Sequence, residues 1–149
     1  MKFERCNYSS GAPLEEKVGY SRVVSVGPFV YVGGTTSVQP DGSVYGENDG
    51  YLQTKYILEK MVNCLEQAGS KREEVVRVKL YVTDMSQTKE YLRAYSEIFK
   101  DIKPLCTLVG INALNRPSQL IEIEIDAVIG AELSNSNTNV PSGIRRNFE

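Results

Sequence analysis

Histidine is absent from the chain. That excludes Ser-His-Asp and Cys-His nucleophile pairs and imidazole-based metal sites. Any proton transfer therefore falls to Glu, Asp, Tyr, Lys, Cys, the backbone or water. Cysteine is scarce: Cys6, Cys64 and Cys106 are odd in number and widely spaced. That pattern fits neither a disulfide framework nor a zinc site, so no metal and no cofactor is expected. An excess of positive charge is also lacking, with 17 Lys and Arg against 19 Asp and Glu and a net charge of −2. Without a basic field to hold phosphates, no nucleic-acid partner is expected. No apolar run approaches the roughly 20 residues of a membrane span. The opening MKFERCNYSS carries no apolar signal core. The expectation is a cytoplasmic chain with no membrane partner.

What is present is ordinary for a globular domain: 149 residues, 41% hydrophobic and 24% charged. That length suits one domain with a core needing no covalent staple. A short strand is expected near Phe3 to Tyr8. Two β segments follow, about 20–26 and 29–34, separated by a Gly27-Pro28 turn. A helix over 51–68 carries the stripe Ile57, Met61, Cys64 and Ala68, with Asp49 as its cap and Gly69 as its stop. Residues 75–83 read as a strand, with Val76, Val78, Leu80 and Val82 on one face and Arg77, Lys79 and Tyr81 on the other. Asp84 opens a second helix, with Gln87 in capping-box position and a stripe of Tyr91, Leu92, Tyr95, Ile98 and Phe99. Residues 103–128 read as a strand, a turn at Asn115-Arg116-Pro117-Ser118 and a second strand. From 134 to 149 the chain turns polar and aperiodic, which predicts a tail beyond a domain at 1–133. Arg145, Arg146 and Phe148 in that tail could fold over a neighbouring cleft, the alternative being a passive appendage.

The last strand alternates Ile121, Ile123 and Ile125 with Glu122, Glu124 and Asp126. Two amphipathic helices need a sheet to cover, and these isoleucines supply its core face. The opposite face then carries three carboxylates on one strand and Arg77 and Lys79 on another. It is either solvated, with cross-strand ion pairs, or covered by another subunit.

The stretches APLEEKVGYSRVVSVGPFVYVGGTTS, AGSKREEVVRVKLYVTDM, YLRAYSEIF and KPLCTLVGINAL…IEIEIDAV, taken together, resemble the RidA (YjgF) family over about residues 5 to 130. The resemblance implies a chorismate-mutase-like α+β single domain, with a mixed, mostly antiparallel sheet covered on one face by two helices. It also implies a homotrimer with small-metabolite clefts between subunits, and Arg77 and Lys79 beside Glu122 and Glu124. Archetypal members hydrolyse 2-imino acids to 2-keto acids and ammonia. Their Pro-x-Arg-[Ser/Thr] signature falls here on Pro104-Leu105-Cys106-Thr107, so Cys106 stands where an Arg clamps the substrate carboxylate. The family Tyr matches Tyr20, its Ser-Gly pair falls on Gly33 and Gly34, its helix Asn on Leu92 and its water-positioning Glu on Glu124. Glu124 is thus the implied catalytic residue, with Tyr20, Gly33, Gly34, Leu92, Cys106 and Thr107 around the ligand. The implied function is binding, and as an enzyme hydrolysis, of a small imine or enamine that does not rely on a carboxylate clamp. The alternative is a non-catalytic ligand-binding or interaction trimer. Cys106 itself reads either as a reactive thiol or as a small residue filling cleft space.

Overall fold

The computed structural model describes residues 1–134. Apart from Ser134, the tail expected at 134–149 lies outside the described residues. Eight-residue apolar alternation and two long amphipathic segments build the layers. The strands are β1 (Arg5–Tyr8), β2 (Val23–Val26), β3 (Phe29–Thr35), β4 (Val75–Val82), β5 (Leu105–Gly110) and β6 (Ile121–Val128). The helices are α1 (Pro13–Val18), α2 (Gly50–Gln67) and α3 (Thr88–Phe99). The sheet order is β1-β2-β3-β6-β4-β5. Every neighbouring pair is antiparallel except β4 with β5. The result is the mixed α+β architecture expected.

α2 and α3 pack on one face of the sheet. Ile57, Leu58, Met61 and Leu65 of α2 and Tyr91 and Phe99 of α3 are wholly buried against Val78, Leu80, Val82, Ile121, Ile123 and Ile125. Asp49 caps α2 by accepting from Leu52 N at 2.9 Å, and Gly69 follows its end with φ +81°. Gln53 is fully buried within this layer. Its Nε2 donates to Gly46 O at 3.0 Å and Ser118 O at 2.7 Å, and its Oε1 accepts from Leu120 N at 2.9 Å. One amide thus closes the loop before α2 onto the segment entering β6 and satisfies backbone groups that would otherwise be stranded.

Several expectations need correction. α1 has no counterpart in the periodicity, because six residues are too few to show a 3.6 repeat. Its punctuation is visible: Pro13 at the first helical position, Glu15 and Glu16 in the first turn, and Gly19 at φ +90° at the end. Asp84 caps a single 3-10 turn, Met85–Gln87, ahead of α3, accepting from Ser86 N at 2.9 Å. Gln87 does not complete a capping box. Its Oε1 instead accepts from Gly50 N at 2.8 Å, at the start of α2. Leu92 is 39% exposed and lies off the core stripe, whereas Ala94 is buried.

The strands expected on either side of the turn at 115–118 are β5 and β6; they do not pair with each other, because β4 lies between them. The alternation in β4 also breaks at its start. The register against β6 shifts between Val75 and Arg77, which leaves Val75 in the core and Val76 38% exposed. An extra residue in one strand turns the following side chains to the other face. Among the described residues, the two long helices leave the second face of the sheet uncovered. It exposes Phe29, Tyr31, Leu105 and Val109 beside the charged row of β4 and β6.

Candidate functional site

The β4–β6 register decides which carboxylate is free. Arg77 pairs with Asp126, Lys79 with Glu124 and Tyr81 with Glu122. The Arg77 Nε–Asp126 Oδ2 distance is 3.7 Å and Lys79 Nζ–Glu124 Oε2 is 3.8 Å. Of the neighbours that the resemblance implied, Lys79 is thus opposite Glu124, whereas Arg77 faces Asp126 and neither cation is opposite Glu122; the extra residue at Val75–Arg77 sets this register. Glu124 is further engaged by the Tyr81 hydroxyl, which donates to its Oε2 at 3.3 Å. Among the described residues, no group donates a hydrogen bond to the Glu122 carboxylate and no cation pairs with it. Burial raises its pKa above the usual 4.5; the nearby Glu124 charge adds to this, and Arg22 opposes it.

Glu122 is seated by a kink in β3. The pairing Val32 with Ile125 and Thr35 with Ile123 leaves Gly33 and Gly34 opposite the single residue Glu124, a bulge. Gly34 is glycine for a steric reason: a Cβ there would meet Glu122 Oε1 and come within 3.0 Å of its Cδ. The absence of that carbon lets the carboxylate lie against the backbone of β3.

The other side of the kink is held by a guanidinium. Arg22, just ahead of β2, donates from Nη1 to the Gly34 carbonyl and to Thr35 Oγ1 at 3.4 Å. Its Nε lies 3.5 Å from Glu15 Oε1, and its Cζ lies over the Tyr20 ring, 5.9 Å from the ring centre. Glu15 is 2% exposed yet well satisfied, accepting from Ser9 Oγ at 2.9 Å, Ser10 N at 3.0 Å, Ser10 Oγ at 3.0 Å and Ala12 N at 3.2 Å. Burial alone would raise its pKa, but the hydrogen bonds from Ser9 and Ser10 and the charge of Arg22 hold it below the ordinary value. Its backbone carbonyl also accepts from Tyr20 N at 3.0 Å. Tyr20, Gly33, Gly34 and Glu122 thus form one neighbourhood, with Arg22 and Glu15 behind it.

The remaining expected residues lie elsewhere. Cys106 is on the edge strand β5, in register with Val78, a core residue, so its side chain takes the α3 side of the sheet. There its thiol is a hydrogen-bond partner of the Tyr95 hydroxyl. Burial pushes the thiol's pKa up, against the smaller effect of Tyr95. A raised pKa does not favour the reactive thiolate, and Cys106 as a whole is exposed at this sheet edge. Thr107 is on the opposite face, in register with Lys79. β4 and β6 separate β5 from β3, which at strand spacing is about 14 Å. Within one chain, then, Leu92, Cys106 and Thr107 do not meet Tyr20, Gly34 and Glu122. Among the described residues no group of three or more carboxylate or thiol side chains could hold a metal, and no helix is long and apolar enough to cross a membrane.

Glu122, Arg22 and Glu15 are the residues that sequence reasoning passed over. Glu122 and Glu124 share a face and a spacing, and only the cation register separates them. Arg22 and Glu15 stood inside a recognised stretch, but their partners are a backbone carbonyl and a serine-lined turn with no periodic signal.

Residues 11–129 match the family described as Endoribonuclease L-PSP. A RutC family protein of Aquifex aeolicus is 35% identical over 113 residues, 73% of this chain and 87% of that protein. An uncharacterized protein of Streptomyces coelicolor is 33% identical over 122 residues, covering 82% and 90%. The fold superposes on the crystal structure of a YjgF-family protein of Mycobacterium tuberculosis with a TM-score of 0.76 and 38% identity, over 85% of this chain and all of that one.

Proposed function

The chain belongs to the Endoribonuclease L-PSP family, the YjgF or RidA family, and on that premise we propose that three copies assemble by their open sheet faces. The ligand cleft then lies between neighbours. One copy contributes Tyr20, Gly33, Gly34 and Glu122; the next contributes Cys106 and Thr107 of its β5 edge and Leu92 of α3. Two observations support this. The open face exposes aromatic and aliphatic side chains that a partner would cover. The two residue groups also lie too far apart in one chain to act on one small molecule.

The reaction is hydrolysis of a small imine. Glu122 takes a proton from water as the oxygen adds to the imine carbon, giving a carbinolamine. The same carboxyl returns that proton to nitrogen; it then takes the proton of the new hydroxyl and passes it to nitrogen as the C–N bond breaks, so that a carbonyl compound and ammonia leave. The observation that carries this reading is the unpartnered Glu122 carboxylate with its raised proton affinity. A base whose pKa is moved toward neutrality works better as both acceptor and donor. Glu124, the carboxylate that the resemblance singled out, is occupied by Lys79 and Tyr81. Its role is to raise the proton affinity of Glu122 by its charge. With a net charge of −2, the chain offers little support for ribonuclease chemistry.

Cys106 and Leu92 put no cation on the far wall of the cleft. A lost charge-assisted hydrogen bond corresponds to about 10- to 100-fold in binding. Steady-state assays should therefore show kcat/KM for a neutral imine exceeding that for 2-iminopropanoate by about that factor. Preference for the imino acid would contradict this reading. Ligand-induced thermal stabilisation without turnover of any imine would support the binding-only alternative, which a far wall without a cation at Leu92 and Cys106 favours.

A further inference from the structure

We propose that Arg22 is a positioning residue for this site: tethered by Glu15, it locks the Gly33-Gly34 kink and the Tyr20 ring in place against the Glu122 carboxylate. The proposal rests on the function proposed for Glu122, but its geometry stands apart from any turnover. Arg22 reaches the kink directly and lies near the Tyr20 ring. Its Nη1 donates to the carbonyl of Gly34, the residue whose missing Cβ admits Glu122. It also reaches Thr35 Oγ1, and Thr35 in turn donates to the Gly33 carbonyl at 2.9 Å, so both ends of the kink are held. Its guanidinium carbon lies over the Tyr20 ring, 5.9 Å from the ring centre.

The tether is built rather than incidental. Glu15 is almost wholly buried, and four donors from Ser9, Ser10 and Ala12 fix its orientation, which in turn fixes Arg22 Nε. A planar fork can grip a carboxylate, a carbonyl and a hydroxyl at once, which the single ammonium of lysine cannot reproduce.

The charged and titratable groups facing Glu122 are few. Tyr81 is its cross-strand partner on β4, and Glu124, with Lys79 beyond it, is the next outward residue on β6. Arg22 approaches from the β2–β3 side. Arg22 is the one whose charge favours the ionised form of Glu122 without being paired to Glu124. Its removal therefore acts on both the position and the proton affinity of Glu122.

Arg22→Gln and Arg22→Lys separate these effects. In the intact protein, carboxyl-carbon NMR follows the titration of Glu122, and amide resonances report Gly33, Gly34 and Tyr20. Arg22→Gln should move the Glu122 midpoint upward and displace all three amides. Its kcat/KM on a neutral imine should fall about tenfold, the effect of one lost charge-assisted contact. Arg22→Lys keeps the charge, so the midpoint should stay closer to that of the unaltered protein while the Gly34 amide still moves. If Arg22→Gln does not fold, the lysine variant alone decides. An unchanged Glu122 midpoint together with unmoved Gly34 and Tyr20 amides would overturn the proposal. If the unaltered protein hydrolyses no imine, the function proposed for Glu122 fails, while the resonances still decide the role of Arg22.

Discussion

Glu122→Gln should lower imine turnover by about 10²- to 10⁴-fold, the usual contribution of a general base, without lowering the melting temperature. The two halves of this result have the same cause. A carboxyl whose folded-state pKa lies above its unfolded value favours the fold when protonated, and that contribution is lost as pH rises through the folded pKa. Glu122 is such a group, because burial and the Glu124 charge raise it. At neutral pH its ionised form opposes folding, and a neutral amide of the same shape relieves that. In the unaltered protein kcat/KM should rise with pH and level off above the Glu122 pKa; the variant should lack that limb. Glu124→Gln is the control. It breaks a partly exposed pair with Lys79 and a bond from Tyr81, worth about 0–1 kcal/mol, and should leave turnover within several-fold. A large loss in Glu124→Gln with a small one in Glu122→Gln would reverse the two roles.

Gly34→Ala should be nearly as damaging to activity while leaving the fold intact. Gly34 does not have a left-handed backbone, so alanine brings no backbone strain. Its Cβ would instead occupy the space of the Glu122 carboxylate, within 3.0 Å of Cδ. A flexible side chain yields, so the carboxylate swings away and the sheet survives. Displacing a reacting group by about 1 Å costs about 10²-fold in rate. The check is kcat/KM beside a urea melt: a large fall in the first with a small change in the second is expected. Unchanged turnover would show that the seat of Glu122 against β3 is irrelevant.

Side-chain periodicity made most of the fold legible. α2 and β6 stand where their apolar repeats predict them, because long elements bury one face and leave the other to charge. What escaped had no repeat to show. α1 is six residues held by Glu15 rather than by an apolar stripe. The shift at Val75 is a backbone event, yet it decides which carboxylate faces a cation. Three acidic side chains at a spacing of two look equivalent in the sequence and become distinct only once Arg77 and Lys79 are assigned their partners. The position of Cys106 was readable from the motif, but its side was not, since that depends on the parallel register with β4. The two groups of expected site residues are distant in one chain, a fact of strand order that no local pattern carries.

The most direct test is complementation between two inactive chains. One carries Glu122→Gln; the other carries Leu92→Trp, which fills the cleft from the α3 side at an exposed position. Each alone should be inactive. Co-expressed in equal amounts, they should recover activity in about a quarter of the clefts of a randomly mixed symmetric assembly, where an intact Glu122 half meets an intact Leu92 half from a neighbour. No recovery, with mixed assemblies verified by native mass spectrometry, would place the site within a single chain and contradict the account.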